Sequence, residues 1–250
     1  VIVPIATLIL RGAGVGFGEI LRIVVTERVL AALWLSFRLA FLAALFNLVF
    51  GLMLAWVLVR YRFPGRRLID AAVDLPFALP TAVAGIALTA LYAPNGALGR
   101  PLADLGIKVA YAPLGIWIAL VFVGLPFVVR TVQPVIEEID REVEEASATL
   151  GAYRARTFLR VILPMLTPAL LTGFALALAR GVGEYGSVIF IAGNLPFSTE
   201  IAPLLIVIRL EEFDYNGAVA IAIAMLAISF AMLLAINLIQ VWSRKRLGDG

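Results

Sequence analysis

EEASATLGAYRARTFLRVILPML, from Glu144 to Leu166, is a charged island between apolar stretches, and its spacing decides how the chain is organised. Apolar residues recur three and four positions apart from just before the island into it, at Ile136, Ile139, Val143, Ala146 and Leu150. Acidic residues fill many of the positions between them. This period is typical of one face of an α-helix. The stretch from 136 to 150 is therefore predicted to be an amphipathic helix.

Glycine and proline punctuate the rest of the island. Gly151 follows the last periodic residue, where a left-handed helix cap is expected because glycine has no Cβ to clash. A second helix is predicted over Tyr153 to Val161. Pro164 then fits the first turn of the next helix, where a missing N–H costs little. Amphipathicity alone favours a helix pair lying flat on lipid headgroups, so it does not by itself indicate docking to a protein.

The residues around the island have the composition of a membrane protein. Hydrophobic residues make up 62% of the 250 positions, and the mean hydropathy is +1.03. A membrane helix needs about 20 apolar residues, and five uncharged runs are long enough: Leu39–Val59, Leu75–Gly99, Val109–Val129, Val161–Ala179 and Tyr215–Ser243. VIVPIATLIL at the start predicts a sixth span, which we expect to be truncated. The predicted fold class is all-α, a polytopic membrane protein with six transmembrane helices in one domain, residues 1–250.

Two absences from the sequence narrow the function. The chain contains no cysteine and no histidine. Thiol nucleophiles, imidazole bases and most transition-metal sites are therefore excluded. We expect no catalytic residue, no metal site and no cofactor on this chain.

Basic residues predict how the chain crosses the membrane. They cluster in three places: Arg60, Arg62, Arg66 and Arg67; Arg130, Arg141, Arg154, Arg156 and Arg160; and Arg244, Lys245 and Arg246. Because positive loops stay in the cytoplasm, all three clusters are predicted to be cytoplasmic. The segments around Thr26, Gly99 and Glu200 would then be external. Both termini are predicted to lie on the cytoplasmic side of a bacterial cytoplasmic membrane.

Three ionisable residues stand at predicted membrane depth, where charge is costly and is usually retained for a purpose. Arg180 and Glu184 are four positions apart, close enough to pair on one helix face. Arg38 lies in the apolar segment LSFRLAF. Either arginine could lower the barrier to an anion in a translocation pathway. The alternative is structural, with Arg180 neutralised by Glu184 and Arg38 extending its side chain to the membrane surface.

Two prolines interrupt the predicted span that begins at Leu75. Pro76 and Pro80 are four positions apart in DLPFALPTAVAG, and each removes a helical hydrogen bond. A broken helix that offers backbone groups to a solute is known from other transporters, so these prolines are pathway candidates by analogy. The simpler interpretation is a kink used only for packing.

The charged island resembles the EAA loop of ABC-transporter permeases, whose short cytoplasmic helices sit in a groove of the ATP-hydrolysing subunit. The resemblance rests on the order acid, small, small, glycine, aliphatic, leucine, proline: Glu145, Ala146, Ser147, Gly151, Val161, Leu163 and Pro164. Ser147 replaces the usual second alanine, and Val161 the usual isoleucine. The resemblance implies cytoplasmic coupling helices within residues 136–164. The residues that it implies in coupling to the ATPase are Glu144, Glu145, Ala146, Leu150, Gly151, Arg154, Leu163 and Pro164.

Five further motifs, in order along nearly the whole chain, are similar to permeases of the CysT (CysU) type from bacterial sulfate/thiosulfate importers: RYRFPGRR, DLPFALPTAVAG, LPFVVRTVQPVIEE, GEYGSVIFIAGN and RLEEFDY. This resemblance implies a type I ABC importer permease fold and one half of a pore. The implied partners are two ATPase subunits that carry ATP and Mg²⁺, an external sulfate-binding protein and a second permease. The second permease would be a CysW-type homologue or another copy of this chain. Membrane lipid is also an expected partner, and nucleic acid is not.

Other functions fit the sequence less well. Molybdate or tungstate permeases share the docking loop and a segment related to GEYG, so they remain an alternative substrate class. An ion-coupled secondary anion transporter predicts buried carboxylates and an internal repeat, whereas Glu184 is the one carboxylate identified at membrane depth. A membrane-bound enzyme lacks a catalytic cluster.

Overall fold

The computed structural model describes residues 2–248, apart from the side chains of residues 2, 141 and 242–248. The predicted basic residues Arg141, Arg244, Lys245 and Arg246 therefore lie outside the described side chains. Throughout 2–248 the secondary structure is helical, without β-strands, which confirms the all-α class. The helices are α1 Ile2–Val15, α2 Phe17–Val24, α3 Glu27–Arg60, α4 Arg66–Val73, α5 Leu75–Ala78, α6 Thr81–Tyr92, α7 Gly99–Asp104, α8 Pro113–Glu138, α9 Arg141–Thr149, α10 Arg154–Thr157, a π-helical segment Phe158–Ile162, α11 Leu163–Val182, α12 Val188–Ile191, α13 Ala202–Glu211 and α14 Tyr215–Gly248.

Four helical stretches are long and apolar enough to cross a membrane: α3, α8, Arg154–Val182 and the part of α14 that ends at Val241. They overlap four of the predicted spans, although α3 begins at Glu27 rather than near Leu39. The described part of the truncated span predicted from VIVPIATLIL, residues 2–10, lies in α1, which continues to Val15 and is followed by α2. This pair bends by 95° at Gly16, whose φ of 88° suits a residue without a Cβ.

The predicted span over Leu75–Gly99 is interrupted at Pro80, one of the two prolines that the sequence marks as interruptions. Residues 66–92 form α4, α5 and α6, and α6 has 12 residues. Pro80 has no N–H and pushes the preceding residue out of the helical region, so Leu79 has φ −86° and ψ 134°. The count of six transmembrane helices stays a prediction, because the described residues contain four long apolar helices and the bent pair.

α3, α8 and α11 form the core, and glycine lets them approach closely. Gly51 of α3 and Gly173 of α11 both lie against Val128 of α8, where an added Cβ would meet Val128 atoms within about 3 Å. Small residues at such contacts allow membrane helices to pack by van der Waals attraction. Asn47 is buried in the same core, and its Nδ2 donates to the Val121 carbonyl at 3.1 Å. α14 packs at the edge of this core, against α11 and α13.

An ion pair between the half-buried Arg28 and the buried Glu200 joins the Glu27 end of α3 to the segment before α13. Arg28 donates from Nε and Nη2 to the two carboxylate oxygens of Glu200, at 2.9 and 2.7 Å. The Glu200 side chain is 1% exposed. The apolar segment that follows Glu200 forms α13, which buries Ala202 and Leu205 against the rest of the molecule.

Candidate functional site

The loop between α8 and α11 begins with a break that the sequence interpretation missed. α8 continues through Ile136 to Glu138, and Ile136 and Ile139 are buried in the core. Ile139 and Asp140 have extended backbones, with ψ of 112° and 141°, and Asp140 is the N-cap of α9. The predicted single helix over 136–150 is therefore wrong, because Ile136 belongs to α8 and the extended residues Ile139 and Asp140 separate α8 from α9.

Gly151 ends α9 in a left-handed cap, as predicted. Its φ is +80°, and its N–H donates to the Ala148 carbonyl at 3.0 Å. The next N–H, of Ala152, donates to the Ser147 carbonyl at 3.0 Å. These two bonds form the Schellman arrangement that satisfies the last carbonyls of a helix. Nothing lies within 4 Å of the position that a Gly151 Cβ would take, so the glycine is required by the backbone and not by a neighbour.

The second predicted helix of the loop is not separate from the membrane helix. α10, the π-helical segment and α11 follow one another without interruption from Arg154 to Val182. Pro164 therefore lies within a continuous helix and not at the start of one. It cannot donate to the carbonyl of Arg160, and the π-helical segment just before it is a geometry by which helices accommodate such irregularity.

The tip of this loop exposes apolar surface among charges. Leu150 is 88% exposed and Tyr153 is also exposed, and Arg156 lies over the Tyr153 ring at 5.2 Å. Of the remaining predicted coupling residues, Glu145, Ala146 and Arg154 are exposed, whereas Glu144, Leu163 and Pro164 are half-buried. An exposed apolar patch with a polar rim is typical of a protein interaction site. Leu150 was predicted to lie on the apolar face of a helix, and it instead crowns the tip.

Arg60, at the end of α3, holds the loop and was missed as a site residue. Its Nη2 donates to the Ile139 carbonyl at 2.8 Å and lies 3.2 Å from Glu144 Oε1. The guanidinium also lies over the Trp56 ring at 5.4 Å, and Trp56 meets Phe158 edge to face. Arg60 thus contacts the part of the chain that enters the tip, and Trp56, which it covers, contacts Phe158 in the part that leaves the tip. A cleft of about 660 Å³ opens beside these residues.

A second group of candidate residues lies at the other end of α11. Arg180 pairs with Glu184, as their spacing predicted. Glu184 is buried, and its Oε1 accepts hydrogen bonds from the Ser187 amide at 2.8 Å and hydroxyl at 2.9 Å. Arg180 keeps 33% of its side chain exposed. Glu184 is therefore fully engaged in structure, while one side of Arg180 is open to whatever faces it.

The break at Pro80 meets the turn that holds Glu184. An added Cβ on Gly85 of α6 would lie 2.8 Å from the Ser187 Cα, so the first turns of α6 rest directly on the backbone of this turn. Two interruptions, between α5 and α6 and between α11 and α12, are thereby packed together. Pro76 is not part of this contact, because it lies on α5 beside Phe77, whose ring meets that of Phe127.

Arg38 is not brought to Arg180. An added Cβ on Gly181, next to Arg180, would lie 3.4 Å from the Ala40 Cβ, so α3 turns Ala40 toward α11. Two positions along a helix rotate the side chain by about 200°, so Arg38 points away from α11, and it is exposed.

Arg130 forms a charged cluster with two aspartates. The sequence places Arg130 among the basic residues and does not predict these partners. It donates to Asp70 Oδ1 at 2.6 Å and to the two Asp74 oxygens at 2.8 and 2.7 Å. It also donates to the Asp70 carbonyl and to Gln133. The signal in the sequence is an aspartate pair four positions apart, beside an apolar stretch. This cluster ties α4 and α5 to α8.

Comparisons with known proteins agree along the whole chain. A family described as "Binding-protein-dependent transport system inner membrane component" matches residues 47–249. The chain is 52% identical to the "Probable sulfate transport system permease protein cysT" of Nephroselmis olivacea, over 99% of this chain and 87% of that protein. It is 50% identical to the "Sulfate transport system permease protein CysT" of Salmonella typhimurium, over 96% of this chain and 86% of that protein.

Solved structures share the fold at low sequence identity. A chain of a bacterial ABC transporter involved in the import of the acidic polysaccharide alginate is 18% identical, with a TM-score of 0.72 over 90% of this chain and 83% of that one. A chain of the MetNI methionine ABC transporter in an inward-facing conformation is also 18% identical, with a TM-score of 0.62 over 87% of this chain and 99% of that one. These likenesses confirm the predicted type I ABC importer permease fold.

Proposed function

This chain belongs to the family of binding-protein-dependent transport system inner membrane components, and on that premise we propose that it is the permease subunit of an ATP-driven importer of sulfate and thiosulfate. Sulfate is proposed as the substrate because about one half of the residues, over nearly the full chain, are identical to those of proteins called sulfate transport permeases. The transported dianion would cross by alternating access between two permease subunits.

The loop from α9 to α10 would couple the permease to its ATPase. The capped turn at Gly151 presents Leu150 as an exposed apolar side chain, and Glu145, Ala146 and Arg154 are exposed on the same loop. An apolar knob with a polar rim suits a groove on another protein. Glu144 would act from behind, through its contact with Arg60. Leu163 and Pro164 would transmit the motion, since the helix that starts at the tip continues into the membrane without a break.

The partners follow from the same role. Two ATPase subunits would bind ATP and Mg²⁺ and meet the loop tip, and a sulfate-binding protein would deliver the anion from outside. The second permease would be a homologous CysW-type chain or another copy of this one. A related solved complex is described as an alginate ABC transporter with an alginate-pentasaccharide-bound periplasmic protein, which supports this kind of assembly. The chain would lie in the bacterial cytoplasmic membrane with both termini inside.

Arg180 is the better of the two candidate pathway arginines. Its partner Glu184 is buried and held by Ser187, whereas the guanidinium remains partly exposed beside the packed breaks at Pro80 and Gly183. A cation fixed on one side and open on the other can offer charge to a passing anion. Arg38 and Pro76 lie away from this place and carry no further argument for the pathway.

The test is uptake of radiolabelled sulfate in a sulfate-permease-deficient bacterium that expresses this chain with its neighbouring subunits. We expect ATP-dependent uptake that thiosulfate competes. Competition by molybdate or tungstate alone would keep the architecture and reassign the substrate. Uptake that continues without ATP, driven by an ion gradient, would overturn the importer proposal itself.

A further inference from the structure

A cleft of about 490 Å³ lies between the end of α3 and the start of α4, lined by Arg62, Phe63, Gly65, Arg66, Arg67 and Asp70. We propose that this cleft, here called the arginine cleft, binds the phosphate headgroup of an anionic phospholipid. The assignment uses neither the loop tip nor the pathway residues. It holds for a membrane-spanning chain whatever anion the protein transports.

The arginine cleft carries unbalanced positive charge. Among the described side chains, no ion pair or side-chain hydrogen bond involves Arg62, Arg66 or Arg67. The one carboxylate in the lining, Asp70, is already bound by Arg130 at 2.6 Å. Three arginines therefore line one cleft, and among the described side chains no carboxylate is paired with any of them. Phosphate oxygens match the planar donors of arginine, often two at a time.

Exposed apolar side chains follow the arginines of the cleft along the chain. Leu68 follows Arg67 directly and is 75% exposed, and Ile69 is exposed as well. On the next short helix, Leu75 and Phe77 also expose large apolar side chains. A free phosphate would leave this surface bare, whereas a phospholipid would cover it with acyl chain while its headgroup occupies the cleft. The occupant that satisfies both surfaces is amphiphilic.

The arginine cleft lies at the depth of the lipid headgroups. The uncharged part of α3, Leu39–Val59, has 21 residues, which at 1.5 Å per residue is about 31 Å and matches the hydrocarbon thickness of about 30 Å. The arginine cleft begins just after the end of this helix, so it lies at headgroup level. The positive-inside rule assigns this end to the cytoplasm, where anionic lipids attract basic groups beside membrane helices.

The experiment is native mass spectrometry of the purified complex in detergent, titrated with phosphatidylglycerol or with phosphatidylcholine of the same acyl chains. The test variant carries Arg62→Gln, Arg66→Gln and Arg67→Gln. The matched control removes three other exposed charges, with Arg11→Gln, Arg100→Gln and Lys108→Gln. Tryptophan fluorescence on heating checks that both variants are folded, and the single variant Arg67→Gln replaces the triple one if it is not.

We expect one phosphatidylglycerol molecule to bind wild type and control, and to bind the test variant about 100-fold more weakly. Equal binding of phosphatidylglycerol by wild type and test variant would overturn the proposal, and so would equal binding of phosphatidylcholine by wild type. If the test variant keeps its lipid but loses the ATPase subunits, the cleft faces protein and the lipid assignment is wrong.

A second arm separates a lipid from a free anion. Leu68→Ser removes the apolar contact and leaves the three arginines in place. For a lipid site, this variant should bind phosphatidylglycerol at least several-fold more weakly, and millimolar inorganic phosphate should not displace the lipid. Displacement by inorganic phosphate, with no effect of Leu68→Ser, would show a free-anion site and refute the proposal.

Discussion

Replacement of Gly151 tests whether the capped turn positions the coupling tip. Its φ of +80° costs an L residue about 1–2 kcal/mol, and no atom lies within 4 Å of the position of an added Cβ. The cost therefore falls on the backbone alone. A destabilisation of this size shifts the population of the native turn by about 5- to 30-fold. Asparagine tolerates the left-handed region, so Gly151→Asn is the matched control.

The assay is the number of sulfate ions transported per ATP hydrolysed, measured in liposomes that contain the permease and ATPase subunits. Gly151→Ala should lower this ratio or weaken binding of the ATPase subunit, and Gly151→Val should lower it further because a β-branched residue suits this conformation least. Gly151→Asn should stay close to wild type. The temperature of unfolding should change little in all three variants, because the turn is exposed.

Two results would refute this reasoning. If Gly151→Val transports and binds the ATPase as wild type does, the geometry of the turn is irrelevant to coupling. If Gly151→Asn is as defective as Gly151→Val, the tip excludes any side chain at this position. The glycine would then be required by the partner's surface and not by its own backbone.

Three other predictions concern the membrane part. Arg28→Leu leaves the buried carboxylate of Glu200 unpaired and should lower the free energy of unfolding by about 3–5 kcal/mol. The control Arg22→Leu breaks an exposed pair and should cost at most about 1 kcal/mol; equal costs in SDS titration would contradict the assigned burial. Gly85→Val should destabilise the protein by more than about 1 kcal/mol in the same titration, since its side chain would strike the adjoining backbone; a neutral effect would disprove that contact. Arg180→Gln should reduce sulfate uptake while the complex still assembles, as measured by co-purification, and loss of assembly would favour a structural role.

Comparison of particular elements shows where sequence interpretation succeeds. The cap at Gly151 and the pairing of Arg180 with Glu184 were both predicted and both are present. Each depends on residues within four positions of one another, so local backbone geometry decides them. The interruption at Pro80 was likewise indicated by the proline itself. The break after α8 was missed, because hydropathy counts apolar side chains and does not detect the extended backbone of Ile139 and Asp140.

Long-range contacts in the candidate site could not be predicted in the same way. Arg60 reaches the Ile139 carbonyl across 79 positions of sequence, and Arg130 reaches Asp74 across 56. Each of these arginines could pair with several acids in the sequence. Packing of the core helices decides which acid or carbonyl lies within reach.

The sequence by itself determined an all-α membrane permease, because apolar length, charge placement and motif order depend on the residues alone. It also determined the turn at Gly151, because a left-handed cap is a local property. Only the tertiary structure decided that Leu150 is exposed at the tip, that Arg60 holds the loop and that Arg130 neutralises Asp70. Those features depend on which helices lie side by side, because helix packing decides which charges and carbonyls come within reach of one another.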